Sequence, residues 1–106
     1  MRLDEVAQVI RSKNAGPRAL TLDVMFADEA PYGRAIQSPA LTAGRIAALY
    51  GIAEAEVQVI PYPLGRAIKI VMPRHVTAGD PGDTDAYGAQ QHAPLLGVEL
   101  WPPRSA

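Results

Sequence analysis

Ala19-Leu20-Thr21-Leu22-Asp23-Val24-Met25-Phe26 is the stretch whose reading decides the fold. Leu20, Leu22, Val24 and Phe26 alternate with Thr21, Asp23 and Met25, the period of two expected of a strand with one buried face. Ala67 to Met72 repeats the pattern, with Ile68, Ile70 and Met72 set against Lys69 and Val71, and Pro73 closes it. Between these two strands, residues 28–38 read as a short helix with Asp28 as its cap, closed by Pro39. A second helix over 43–50 has Thr42 as its cap, Ile46, Leu49 and Tyr50 at helical spacing, and Gly51 as its stop. Val57 to Ile60 reads as a strand ended by Pro61, and Tyr62-Pro63-Leu64-Gly65 as the turn after it.

Working outward to the ends, Leu3, Val6, Ala7 and Ile10 recur at helical spacing, with Asp4 and Glu5 near the start where the helix dipole favours acids. The reading is a short N-terminal helix over 3–10, then a polar loop, Arg11-Ser12-Lys13-Asn14-Ala15-Gly16-Pro17. Beyond Pro73, a loop over 75–81 leads to a helix capped by Asp83 or Thr84 and running to about Ala93. Gly88 weakens this helix and Pro94 ends it. A last strand over 96–101 stops at Pro102 and Pro103. With the leading helix set aside, the order is βαββαβ. The expected fold is α+β: one ferredoxin-like domain over residues 1–106, a four-stranded antiparallel sheet with helices on one face.

In that fold strands 19–26 and 67–72 are central neighbours. Leu20, Leu22, Val24, Ile68, Ile70 and Met72 face the helices. Thr21, Asp23, Met25, Lys69 and Val71, with Glu99 and Trp101, take the other face, where Asp23 and Lys69 are placed to pair. Met25, Ile60, Val71 and Trp101 there would form an apolar patch of the kind that marks an interface, so a homo-oligomer or docking onto a larger subunit is expected. The alternative is that the leading helix or a tail covers the patch.

The 106 residues carry a net charge of -1 and a pI of about 6.1, with 48% hydrophobic and 20% charged residues, ordinary for a globular domain. There is no basic stripe to favour nucleic acid. Cysteine is absent, which removes disulfides, thiolate catalysis and cysteine-based metal sites, and the two histidines give little for a structural zinc site. No apolar run approaches the roughly 20 residues that span a bilayer. Met1-Arg2-Leu3-Asp4-Glu5 turns acidic at once and lacks a secretory core, so a cytoplasmic, bacterial-type protein with no membrane partner is expected.

Three segments offer chemistry. Arg11, Ser12, Lys13 and Asn14 followed by Gly16 provide two cations and backbone amides suited to a carboxylate or other anion, without the spacing of a P-loop; the alternative is a solvated loop. Gly79-Asp80-Pro81-Gly82-Asp83-Thr84-Asp85 has three acids, but turn and cap chemistry accounts for them without a metal. Tyr87, Gln90, Gln91 and His92 put polar groups on more than one face of a short helix, one of which should point inward, where unpaired amides are costly. His92 and Asp83 are the credible proton-transfer groups. No metal and no cofactor is called for.

The combination of Arg11-Ser12-Lys13-Asn14-Ala15-Gly16-Pro17, Thr21-Leu22-Asp23 and Gly82-Asp83-Thr84-Asp85-Ala86-Tyr87-Gly88-Ala89-Gln90-Gln91-His92-Ala93-Pro94-Leu95 resembles the small bacterial family called domain of unknown function 4387. More distantly, the chain is similar to the C-terminal ferredoxin-fold domain of the acyclic terpene utilisation protein A family. There an Arg-Ser-Gly-Asp-Lys-Gly loop precedes the first strand. Arg11, Ser12 and Gly16 match it, while Lys13, Asn14 and Ala15 depart from it. The resemblance implies a small subunit or detached domain that assists a larger enzyme of acyl-CoA or branched-acid catabolism, of hydratase or lyase type. On that expectation Arg11 and Lys13 neutralise a carboxylate or acyl-CoA ligand, Asn14 and Gln91 orient it, and the 11–16 and 82–92 segments converge. The alternatives are a non-catalytic structural or regulatory module and a stand-alone lyase or isomerase.

Overall fold

A computed structural model describes residues 1–15, 18–73 and 93–101. Its elements are α1 (Leu3–Val6), β1 (Val9–Asn14), β2 (Ala19–Met25), α2 (Glu29–Ile36), α3 (Ala43–Tyr50), β3 (Gln58–Tyr62), β4 (Ala67–Pro73) and α4 (Ala93–Leu96), with short 3-10 turns at 39–41, 54–56 and 63–65. The four strands form one antiparallel sheet in the order β1-β2-β4-β3. Helices cover one face, giving an α+β sandwich with a short N-terminal helix, consistent with a ferredoxin-like fold.

The central pair is the one the alternation predicts. Leu22 sits opposite Ile70, Leu20 opposite Met72 and Val24 opposite Ile68, and all six side chains are buried. They form one cluster with Leu3 of α1, Tyr32 and Ala35 of α2, Ile46 and Ala47 of α3, and Leu95 of α4. Each full burial of a Leu or Ile removes about 1.5–3 kcal/mol of unfavourable hydration, so this layer holds the sheet and helices together. Thr42 accepts from the Arg45 amide at 3.4 Å and opens α3, and Gly51 ends it in the left-handed region at φ 70°, both as the sequence predicts. Asp28 occupies the position before α2, but its side chain makes no capping bond among the described residues.

The outer elements correct the sequence reading in three places. The N-terminal helix spans only Leu3–Val6, and residues 9–14, read as the end of a helix and a loop, form edge strand β1. Ile10 still reaches the core, because a strand residue opposite Val24 faces the same layer. The last strand expected over 96–101 is not formed among the described residues. Residues 93–96 are helical, and Pro94 lies in the first turn, where a missing N–H costs little. Residues 97–101 meet the N-terminal segment through an isolated Arg2–Glu99 bridge, and the Leu3 amide donates to the Val98 carbonyl at 2.8 Å. The edge beside β2 is therefore filled by β1. Finally, Pro61 and Tyr62 lie within β3, so Pro61 does not end it; an edge strand tolerates a residue with no N–H to donate.

Ser38 anchors the C-terminal segment. Its buried hydroxyl donates to the Leu100 carbonyl at 2.6 Å and accepts from the Ala40 amide at 3.2 Å. Trp101 packs against the helix-side core, with the Arg34 guanidinium 4.1 Å from its ring centre, a contact of roughly 0.5–1 kcal/mol. Glu99 and Trp101 thus do not belong to the second sheet face, where a fourth strand at 96–101 would have put them.

Candidate functional site

Each helix among the described residues directs its buried side chains into the cluster on the first sheet face. The second face is set by strand register. Three rows cross all four strands: Val9, Met25, Ala67 and Tyr62; Arg11, Asp23, Lys69 and Ile60; Lys13, Thr21, Val71 and Gln58. The first row is apolar, the second is charged and the third is mixed; Thr21, in the middle of the third row, is only 2% exposed, so the open part of this face is its edges and its apolar end. In these rows three cations share the face with one carboxylate, on a chain of net charge -1.

The Arg11 Nε donates to the Asp23 Oδ2 at 3.3 Å. The Arg11 side chain is 57% exposed and that of Asp23 only 16%. Lys69 lies directly opposite Asp23 on β4, yet the ion pair to Asp23 is made from β1. Arg11 therefore offers an exposed guanidinium, tethered at one nitrogen and backed by a largely covered carboxylate, with Lys13 two residues along the same edge strand. That arrangement presents positive charge to whatever approaches the face.

Of the residues singled out in the sequence, Arg11 and Lys13 share the second face. Ser12 and Asn14 sit opposite Leu22 and Leu20 and so point to the helix side. Strand alternation divides what the sequence presents as one loop. Gly16 lies outside the described residues, as do Asp83, Tyr87, Gln90, Gln91, His92 and the acids at 80 and 85.

Residues the sequence reading passed over extend the surface. Val9 is exposed on β1, and Tyr62 is exposed at the hairpin end of β3. The hairpin end, Pro61-Tyr62 of β3 followed by Pro63-Leu64 of the turn, is exposed throughout, with Leu64 fully so. Four consecutive residues with little polar character at a hairpin end, where polar ones are usual, were the signal in the sequence. Arg66 closes this turn with φ 47°, unusual for a residue with a side chain. Its amide donates to the Pro63 carbonyl at 3.1 Å and its carbonyl accepts the Phe26 amide at 2.9 Å, which fixes the hairpin tip against β2.

The helix layer offers other features. A cavity of about 160 Å³ is lined by Ile36, Leu41, Val59, Pro61 and Ile68, all apolar. The buried Tyr32 hydroxyl has no hydrogen-bond partner among the described residues. Its pKa is raised, first by burial and then by the charge of Glu29, and burial likewise raises that of Tyr50. No helix of the described residues is long and apolar enough to cross a membrane.

A family model described as "Domain of unknown function (DUF4387)" matches residues 3–99. No curated protein and no solved structure matches the chain.

Proposed function

Taking as premise that the chain belongs to the DUF4387 family, we propose that it is an accessory subunit, or detached domain, that works by docking onto a larger enzyme of acyl-CoA or branched-acid catabolism. The supporting observation is the second sheet face, where exposed Arg11 and Lys13 stand beside an apolar row. A free-standing scaffold has little use for such a surface, whereas a subunit can bury the apolar row and hold the cations at a shared boundary. The likeness to the terpene-utilisation domain supports the choice of enzyme class. Within the complex, Arg11 and Lys13 draw a carboxylate-bearing substrate toward the partner's chemistry, a hydration or lyase step.

The test is to purify the chain from its native host with whatever enzyme accompanies it and assay the complex for acyl-CoA hydratase or lyase activity. Arg11→Ala should leave the complex assembled and lower its kcat/KM by about tenfold, the cost of one charge-assisted contact. A chain recovered with no enzyme attached, or an Arg11→Ala complex of full activity, would overturn the proposal.

A further inference from the structure

We infer that the partner surface is acidic and surrounds an apolar recess that receives the tip of the β3–β4 hairpin, and that the occupant is a different protein rather than a second copy of this chain. This rests on the docking role proposed above and specifies what docks. Charge gives the first argument. In a two-fold stack of second faces, Arg11, Lys13 and Lys69 of each copy would face the same three cations of the other. Asp23 is mostly covered and already paired with Arg11, so it offers little compensation. Like-charge juxtaposition of this kind is how an interface rejects a wrong partner.

Area gives the second argument. Four strands about 4.8 Å apart and five to seven residues long span roughly 20 Å by 20 Å, about half of the ~800 Å² per partner of a standard interface. With Thr21 only 2% exposed and the Asp23 side chain 16%, less than that is open, and a flat stack on this face alone is too small. The surface continues beyond the sheet at the hairpin, where Tyr62, Pro63 and Leu64 are exposed. Leu64 is wholly uncovered, and Phe26 and Arg66 hold the base of the hairpin by a backbone bond of 2.9 Å. A projecting apolar tip on a fixed base suits a concave acceptor, and Arg11 and Lys69, in the row next to the one that ends at Tyr62, favour acidic groups on the acceptor.

The experiment uses the isotope-labelled full chain and backbone amide NMR. A random copolymer of glutamate and tyrosine serves as the acidic, apolar probe, and polyglutamate as the charge-only control. Sedimentation of the chain alone reads self-association. Copolymer should perturb amides of β1, β2 and the β3–β4 hairpin, and bind at least about tenfold tighter than polyglutamate, since apolar anchors carry much of an interface's energy. Lys69→Glu and Leu64→Ser should each weaken it by about tenfold, with the remaining amide spectrum unchanged as the control for folding. Equal binding of the two polymers, perturbation confined to the helix layer, or variants that bind as well as the wild type would overturn the inference. A dimer protected across the second face would overturn the acidic partner while leaving the docking role intact. A monomer whose second face meets neither polymer would sink both.

Discussion

The charged row on the second face makes an asymmetric prediction: replacing Asp23 should cost more stability than replacing Arg11, although the two are partners. Arg11 and Lys69 flank Asp23 from the strands on either side, so their attachment points are two strand spacings apart, about 10 Å. Their mutual repulsion is about 0.4 kcal/mol in bulk water and about 1.7 kcal/mol at the effective dielectric of a protein surface. Asp23→Asn keeps the shape, removes the carboxylate both cations see, and leaves that repulsion uncompensated, for an expected loss of about 1–2 kcal/mol. Arg11→Ala removes a mostly exposed cation and leaves Asp23 with Lys69 opposite, so the loss should be below about 1 kcal/mol. The assay is urea unfolding at low salt and at about 0.5 M salt, where the Debye length falls to roughly 4 Å. High salt should bring the Asp23→Asn loss close to that of Arg11→Ala. Adding Lys69→Gln to Asp23→Asn should regain most of it at low salt. An Arg11→Ala loss equal to the Asp23→Asn loss, unchanged by salt, would show that packing holds this row and would refute the electrostatic argument.

The helix layer yields three further expectations. Tyr32→Phe removes a buried hydroxyl that has no partner among the described residues and should raise stability by up to about 1 kcal/mol in thermal unfolding. Because burial raises the folded-state pKa of Tyr32 above the ordinary 10.0, the unfolded chain ionises first. The stability linked to that proton is complete below about pH 10 and is lost as pH rises beyond it, so Tyr32→Phe should also flatten the alkaline decline seen by circular dichroism. Ser38→Ala breaks the bond to Leu100 and leaves a carbonyl without its donor; a loss of about 1–3 kcal/mol in urea is expected, with proteolysis accelerated near Leu100. Gly51→Ala meets no atom within 4 Å but must hold φ near +70°, so it should cost about 1 kcal/mol, or roughly 5 °C in melting temperature.

The centre of the fold was legible because its physics is local and periodic. Leu20, Leu22 and Val24 on one strand, and Ile68, Ile70 and Met72 on the other, leave few alternatives to a central antiparallel pair. Thr42 and Gly51 mark the ends of α3 by bonds and dihedrals that only a few residue types supply. The edge beside β2 was not legible. On β1 the inward positions are Ile10, Ser12 and Asn14, only one of them apolar, so the alternation that reveals a half-buried strand is missing. Leu3, Val6, Ala7 and Ile10 do fall at helical spacing, and the chain honours that spacing for a single turn. At the other end, Leu96 to Trp101 carries enough apolar residues to read as a strand, but that edge of the sheet is already paired to β1.

This exchange of edges changes the chemistry available to the candidate site. As a loop, Arg11, Ser12, Lys13 and Asn14 would bring four polar side chains and backbone amides to a single ligand. As a strand, their backbone groups are committed in part to β2, and their side chains divide between two faces. Arg11 and Lys13 are left as exposed cations spaced two residues apart along an edge, joined by Lys69 two strands away. Charges distributed over some 10 Å of flat sheet do not enclose one carboxylate without groups supplied by a partner, but they match the scale on which a protein surface presents several acids. The apolar row ends at Tyr62, next in the chain to the exposed hairpin tip, which adds the uncharged contact area that binding a small anion does not require and docking does.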